Sequence, residues 1–437
     1  MRSRLLTLAV LLGTGGPGCS HQRPLPPSTS GAPSQDLGSV ESASELLKME
    51  LYLQESAAPR SAIRQRFQLD SGERVHCIDF FEQRSLRGRP RGKIALSPRS
   101  LPAPIQQVQR SIPEKTAPIV CPIGTIPVRD VTIESLKKFR TLTAYLGNPP
   151  AQGAVAAPVS TPLGPEPTAA LQHRGARAEY QYAIADFAPK KQMLLGGQAF
   201  FSVWQPRIDR WDEHSLAELA VVFRSEQMDL FETIEVGWRV FPARYHDPAP
   251  HLFVFTSKRA PSRGNRFETW CYDADCPNFV WTSRKYLGRL PQASLVDGEP
   301  VEVQLGVYRD LDADRWWIYA DGEPMGYFER DYYGWLHWAS EIQFYGEIWN
   351  ARGDRHTATQ MGSGLRPLGD DLAALYRRAA YFRDVRVSTM LDGEQRVVTG
   401  TRATDPRCYG VKVLTLDPPW NTTVFYGGPG YTPGLCE

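Results

Sequence analysis

From about residue 178 to the end of the chain, short runs of alternating apolar and polar residues are separated by turn residues. Runs that are rich in β-branched and aromatic side chains are typical of strands. The clearest are AELAVVF (217–223), TIEVGWRVF (233–241), HLFVFT (251–256), VEVQLGVY (301–308), RWWIYAD (315–321), EIQFYGEIW (341–349), YFRDVRVS (381–388) and GVKVLTL (410–416). They predict a mainly β, antiparallel sandwich over residues 178–437, with one helix at 368–379.

The front part of the chain has a different pattern. Apolar residues at helical spacing, Leu46, Leu47, Leu51 and Leu53, predict a helix in residues 39 to about 68. Short apolar runs between Pro and Gly follow from 75 to 131, so residues 39–148 are interpreted as a small mixed α/β segment. Residues 149–177 hold six prolines between 149 and 167 and have the composition of a linker.

The first nineteen residues resemble an export signal. Arg2 and Arg4 precede an apolar stretch at 5–13 that is too short to span a bilayer. A small residue directly before Cys19 resembles a bacterial lipoprotein processing site, so lipidation of Cys19 and ordinary secretory cleavage are the two alternatives. Residues 20–38 have the composition of a disordered tether. We therefore expect an extracellular or cell-envelope protein that touches a membrane only through an N-terminal lipid.

Composition narrows the classes of function. Of the 437 residues 42% are hydrophobic and 22% are charged, which is ordinary for a globular protein, and the formal net charge is +2. Nucleic-acid partners require a concentrated basic surface, so none is expected. The chain has no HExxH, Gly-x-Ser-x-Gly or P-loop motif and no Cys-x-x-Cys pair, and we predict neither a metal site nor a cofactor.

The remaining cysteines fit an exported protein. Six follow the leader: Cys77, Cys121, Cys271, Cys276, Cys408 and Cys436. An even number in an exported chain indicates up to three disulfides, with 15 possible connectivities. Free buried thiols are the alternative.

Two glutamates interrupt strand-like apolar runs. Because side chains alternate along a strand, Glu235 and Trp238 lie on opposite faces, whereas Gln343, Tyr345 and Glu347 share one face. A carboxylate in such a run is costly if it is buried alone, so it must be exposed, paired or functional. On the residues alone, a solvent-facing Glu is the default interpretation.

Several blocks in the second half of the chain resemble the neprosin family of glutamic peptidases, and they occur in the family's order. They are SVWQP (202–206), TIEVGW (233–238), CYDADCPNFV (271–280), RWWIYADGEPMGYF (315–328), QFYGE (343–347), HTATQMGSG (356–364), AAYFRDV (379–385) and FYGGPG (425–430). The front half resembles the neprosin activation peptide at CIDFFEQ (77–83) and CPIGTIPVR (121–129).

The resemblance implies a jelly-roll sandwich, prolyl endopeptidase activity, and a catalytic pair at Glu235 and Glu347 in a groove across one sheet. It implies a mechanism in which the ionised glutamate takes a proton from water and the other protonates the leaving amine. The substrates would be polypeptides, among them proline-rich ones. The family usually has Gly-Gly-Glu where this chain has Tyr345-Gly346-Glu347, so Tyr345 is expected to narrow or reshape the groove and alter the preference for proline.

The same resemblance suggests further residues. Gln343 is a candidate donor to the developing oxyanion, and Trp349 and Trp238 are candidate groove or core residues. Two disulfides, Cys271–Cys276 and Cys408–Cys436, match positions in the neprosin domain, which leaves Cys77–Cys121 for the front segment.

The front segment would act as an intramolecular inhibitor. Its basic residues, Arg84, Arg87, Arg89, Arg91 and Lys93, are expected either to form a solvated loop or to cover the groove and pair with the two glutamates. A glycoside hydrolase with paired carboxylates and a non-catalytic lectin-like module are the alternative functions for a sandwich with many aromatic residues.

Overall fold

A computed structural model describes residues 40–89, 94–99, 119–146, 180–189, 192–225, 227–262, 265–286, 288–350, 357–391, 393–434 and 436. All of them belong to one compact unit, 38–437. Among these residues no helix is long and apolar enough to cross a membrane. The predicted leader (1–19) and tether (20–38) and the predicted linker (149–177) lie outside the described residues, and the domain boundaries stay predictions.

The front segment is a small α/β unit, as expected. Its elements are α1 (Ala43–Ser56), β1 (Ile63–Gln68), β2 (Arg74–Asp79), β3 (Thr125–Arg129), α2 (Ile133–Leu136) and α3 (Leu142–Leu146). The Ser42 side chain caps α1 by accepting a hydrogen bond from the Glu45 amide. The prediction of a helix to residue 68 was wrong, because Pro59 follows the last turn and the chain then pairs with β2 as strand β1.

The rest of the described chain is almost entirely strand. Its elements are β4 (Tyr180–Phe187), β5 (Leu194–Ser202), β6 (His214–Ser225), β7 (Leu230–Val240), α4 (Pro242–Tyr245), β8 (His251–Ser262), β9 (Asn265–Tyr272), β10 (Phe279–Trp281), β11 (Glu302–Asp310), β12 (Arg315–Ala320), β13 (Glu323–Glu329), β14 (Glu341–Trp349), α5 (Leu372–Arg378), β15 (Ala380–Thr389), β16 (Gly393–Gln395), β17 (Gly400–Ala403), β18 (Gly410–Thr415) and β19 (Thr422–Gly427). Each of the eight predicted strands is present, and α5 lies within the helix predicted at 368–379.

The strands form two antiparallel sheets. One has the order β17-β4-β14-β6-β7-β8-β9, and the other runs β10-β13-β12-β11-β5-β15-β19-β18, with β16 beside β15. The main core lies between them, where alternate residues such as Ile234 and Val236 of β7 pack against Val307 of β11 and its neighbours. The opposite face of the seven-stranded sheet, which we call the outer face, has its own aromatic cluster. This arrangement is the predicted β-sandwich.

Three disulfides connect the six cysteines. They join Cys77 to Cys121, Cys271 to Cys276, and Cys408 to Cys436, which confirms the pairing that the family resemblance implied. The first lies wholly within the front segment, so no described disulfide holds that segment to the sandwich. Cys19 lies outside the described residues.

Candidate active site

Glu235 and Glu347 lie on the outer face of the seven-stranded sheet, on β7 and β14, with β6 between these strands. In the strand register Glu235 is opposite Ala220 of β6, and Glu347 is opposite Leu216. The two rows are four residues apart along β6, which places the two Cα atoms roughly 15 Å apart in a flat sheet. The glutamates are therefore placed diagonally on the two sides of β6.

A third glutamate lies between them. Glu218 of β6 is opposite Tyr345 on one side and Gly237 on the other, and it also belongs to the outer face. Glu218 is not among the site residues predicted from the sequence. The signal was present, because Glu218 interrupts the apolar run at 217–223 in the same way as Glu235 and Glu347 interrupt theirs.

Burial dominates the electrostatics of these carboxyl groups. Glu235 is only 5% exposed and Glu347 only 7%. Burial raises the pKa of Glu235 to about 8, and the charge of Glu347 adds to this shift, whereas hydrogen bonds from Thr233 and Glu218 oppose it. Burial also raises the pKa of Glu347, to about 7, against the opposing effects of the Tyr182 hydroxyl and the Arg239 guanidinium.

Glu347 has polar neighbours that favour its ionised form. The His214 Nε2 atom lies 3.0 Å from Glu347 Oε1, and Tyr182 is opposite Glu347 in the register with β4. Burial lowers the pKa of His214 well below its usual value, and the charge of Arg239 lowers it further, so the imidazole is neutral near pH 7. A neutral imidazole with a proton on Nε2 donates a hydrogen bond to the carboxylate.

Arg239 is the buried cation of this face. It belongs to the same row as Leu216 and Glu347, and its side chain is fully buried. The guanidinium carbon lies 4.2 Å from the centroid of the Tyr272 ring, and Nη2 donates to the Tyr245 hydroxyl at 3.1 Å. Its positive charge lies nearer in the register to Glu347 than to Glu235, and so it favours ionisation of Glu347 first.

The predicted groove residues have three different outcomes. Tyr345 and Trp349 lie on the outer face, where the Trp349 ring stacks at 5.9 Å on His214. Gln343 is on the same face, but its amide nitrogen donates to Asp186 at 2.8 Å and to Glu341 at 3.1 Å. Both of its amide hydrogens are thus used, so in this structure the prediction of Gln343 as an oxyanion donor is wrong.

Trp238 belongs to the core and not to the groove. Its side chain is on the face of β7 opposite to Glu235, is fully buried, and donates its indole N–H to the Ser202 carbonyl oxygen at 3.0 Å. Of the two alternatives for Trp238, the core placement is therefore the one found, and the groove placement is wrong. The alternation along β7 decides this, since residues 235 and 238 differ by an odd number.

A substitution at Trp238 should thus affect stability and not specificity. We expect Trp238→Ala to lower the free energy of unfolding by about 3–5 kcal/mol, because it leaves a large cavity between the sheets. Chemical denaturation monitored by circular dichroism would measure this loss. A Trp238→Ala protein of unchanged stability would contradict the placement of this side chain in the core.

The front segment docks beside this face but does not touch the two glutamates through any described hydrogen bond. Arg129 donates to the Arg244 carbonyl oxygen at 3.0 Å, and Arg244 donates to the Tyr145 carbonyl oxygen at 2.8 Å. The predicted pairing of the basic residues with the glutamates is wrong for Arg84 and Arg87. Arg84 donates to the Asp275 carbonyl oxygen at 2.8 Å, and Arg87 binds backbone carbonyl groups of its own segment.

The remaining basic residues of that run give no further support to the pairing. Arg91 and Lys93 lie outside the described residues. For metals, the described ranges contain no group of three or more His, Cys, Asp or Glu side chains arranged to hold an ion.

Buried carboxyl groups of raised pKa on one face of an antiparallel sandwich are typical of sites of acid–base catalysis. The family model for Neprosin matches residues 211–429, half of the chain, and this stretch includes β6, β7 and β14. The chain belongs to the Neprosin family. Family membership makes it a hydrolase of the glutamic peptidase type with polypeptide substrates.

Solved structures show weaker likenesses. Scytalido-glutamic peptidase with a peptide-based transition-state analogue matches at 10% identity and a TM-score of 0.28, over 57% of this chain and 97% of that one. SCP-B, of the eqolisin family of peptidases, matches at 11% identity and 0.27, over 57% and 96%. A Bacteroides ovatus glycoside hydrolase of family 16 matches at 11% identity and 0.25, over 40% and 68%. These scores are too low to favour one function over another.

Proposed function

We propose that the protein is an exported glutamic endopeptidase that cleaves after proline, with Glu235 and Glu347 as its catalytic pair. The observation that carries this proposal is the placement of both glutamates on one sheet face with raised pKa values, at the positions of the family's two motifs. A surface glutamate on an amphipathic strand would be exposed, whereas these two are nearly inaccessible.

The surroundings of each glutamate support a division of roles. Glu347 has the Tyr182 and His214 side chains and the charge of Arg239 to favour its ionised form, so it is the base that takes a proton from water. Glu235 has the higher pKa and keeps its proton, so it is the acid. Protonated Glu235 polarises the peptide carbonyl oxygen during attack and then protonates the leaving amine.

The pH profile should be bell-shaped with its maximum on the acid side of neutrality. Activity requires ionised Glu347 and protonated Glu235, so kcat/KM rises with pH through the first pKa and falls through the second. In the buried site these pKa values are about 7 and about 8, which alone would centre the bell near neutrality. The acid-side maximum that we propose therefore requires water to reach both carboxyl groups in the active form and lower both pKa values. Initial rates on a fluorogenic proline peptide between pH 3 and 9 measure the curve, and a rate that keeps rising to pH 9 would contradict these roles.

Substrate class can be established by one comparison. Purified protein is incubated with casein, gelatin and polysaccharides at pH 3 to 7, and peptide and sugar products are analysed together. The proposal expects peptides that end in proline and no new reducing ends. Release of sugars would favour the glycoside hydrolase, and binding without hydrolysis would favour the lectin-like module.

The front segment is proposed to be an inhibitory pro-segment. Its docking is supported by several buried contacts with the sandwich, among them a hydrogen bond from the Gln83 side chain to the Trp281 carbonyl oxygen at 3.1 Å and another from the Trp281 amide to Gln83 at 2.8 Å. Its α3 helix lies close to β9, whose Tyr272 belongs to the outer face. We also propose that the protein is exported, with or without a lipid on Cys19, because residues 1–19 resemble an export signal.

A further inference from the structure

Glu218 is placed midway between the proposed acid and base. It is two residues along β6 from the row of Glu347 and two residues from the row of Glu235, in opposite directions. Each step is one diagonal neighbour on the same face of the sheet, a separation of roughly 7–8 Å between Cα atoms that long side chains can bridge. The three carboxyl groups therefore form a diagonal line across three adjacent strands.

The residues next to Glu218 leave space for its side chain between Glu235 and Glu347. Gly237 is opposite Glu218 on β7, and a Cβ atom there would lie only 2.8 Å from the Glu218 Cβ. The missing side chain leaves space for Glu218 on the β7 side, toward Glu235, and each of these two carboxyl groups influences the pKa of the other. On the β14 side Tyr345 is directly opposite Glu218 and opposes the rise of its pKa. Tyr345 is the residue that departs from the family's usual Gly-Gly-Glu, so this departure and the third glutamate are cross-strand neighbours.

Burial and the neighbouring negative charges favour the protonated form of Glu218. Its side chain is 1% exposed, burial raises its pKa well above the usual value, and the charges of Glu235 and Glu347 raise it further. Arg239 is on the same face but in the row of Glu347, and His214 is neutral. In its protonated form Glu218 can donate to Glu235, which leaves the proton of Glu235 free for the substrate.

We propose that Glu218 is a positioning residue that orients Glu235 and returns the proton from Glu347 to Glu235 after each turnover; this role rests on the proposed function. Hydrolysis leaves Glu347 with the proton taken from water and Glu235 without the proton given to the amine. Glu218 then passes its proton to Glu235 and receives the one held by Glu347. Only O–H bonds form and break, and all three carboxyl groups regain their starting states.

The matched variant is Glu218→Gln. Glutamine keeps the size of the side chain, can still donate to Glu235 and can still accept from Tyr345, but it cannot relay a proton. In the acid-treated full chain, we expect kcat on a proline peptide to fall tenfold or more, with KM within twofold of the wild-type value. Return of the proton to Glu235 must then use acids from the solvent. The kcat of Glu218→Gln should therefore rise with acetate concentration at fixed pH and ionic strength, and the kcat of the wild type should not.

A structural role would give a different result. Glu218→Asp retains a carboxyl group and should recover part of kcat, and thermal unfolding checks that both variants are folded. A wild-type kcat in Glu218→Gln, or a reduced kcat that neither acetate nor Asp restores, would overturn the relay. If Glu235→Gln and Glu347→Gln are inactive while Glu218→Gln is fully active, only the relay fails. If those two variants are active, the proposed function itself fails.

Discussion

Glu235→Gln and Glu347→Gln should each lower kcat on a peptide substrate by 10²- to 10⁴-fold, the usual contribution of general acid–base catalysis. Glutamine keeps the size and hydrogen-bonding capacity of the side chain but can neither give nor take the proton. Because both carboxyl groups are buried with raised pKa values, a neutral amide should preserve the fold. Initial rates at the pH optimum, together with thermal unfolding, measure both effects.

Glu341→Gln is the matched control for these variants. Glu341 is on the same strand and face as Glu347, but it accepts a hydrogen bond from Arg224 at 2.8 Å and lies at the far end of β14. It should retain most of the activity. More than a tenth of the wild-type rate in either active-site variant, or activity that is lost with chelators or serine-directed reagents, would refute the glutamate pair.

Acid should convert the precursor into a shorter, active form that starts between residues 150 and 179. The structure points to Glu73 of the front segment as a trigger, in place of the basic residues. Glu73 is 6% exposed, accepts a hydrogen bond from the Tyr286 hydroxyl at 2.6 Å, and has one carboxyl oxygen 3.6 Å from His251 Nε2. Burial alone would raise its pKa, but His251, Arg129 and Tyr286 outweigh burial and lower it.

The lowered pKa of Glu73 predicts how docking of the front segment depends on pH. A carboxyl group whose pKa is lowered by docking stabilises the docked state above its unshifted value of 4.5, and this stabilisation is lost as the pH falls through the lowered pKa. Below that value Glu73 is protonated and the front segment should loosen. Incubation at about pH 4, followed by N-terminal analysis, tests the conversion.

Three variants separate the possible routes of conversion. The Glu347→Gln precursor should stay intact at pH 4, because it cannot cleave itself. Glu73→Gln should convert at a higher pH than the wild type, whereas the exposed Glu134→Gln in the same segment should behave as the wild type does. Equal processing of Glu347→Gln would show that a separate protease acts, and a fully active, uncleaved wild type would refute the zymogen proposal.

The sequence predicted the strands well because their pattern is local. Alternation in TIEVGWRVF and EIQFYGEIW places Glu235 and Glu347 on the face opposite to the core residues of each strand, although the structure buries both faces. The same rule assigned Trp238 to the face opposite Glu235, which agrees with its core alternative and not with its groove alternative.

What the sequence could not give is the register between distant strands. Glu218 falls between the two motifs only because β6 separates β7 from β14, an arrangement set by pairing between segments more than a hundred residues apart. The partners of Gln343, among them Asp186 on β4, depend on the same pairing. Glu73 meets His251 through docking of the front segment, for which single residues carry no signal.

The glutamate pair is tested most directly by digestion of casein, at the pH of the highest wild-type rate, with acid-treated wild type and with Glu347→Gln prepared in the same way, with peptides mapped by mass spectrometry. We expect peptides with new C-terminal prolines from the wild type and none from Glu347→Gln. The same set of peptides from both proteins would contradict it.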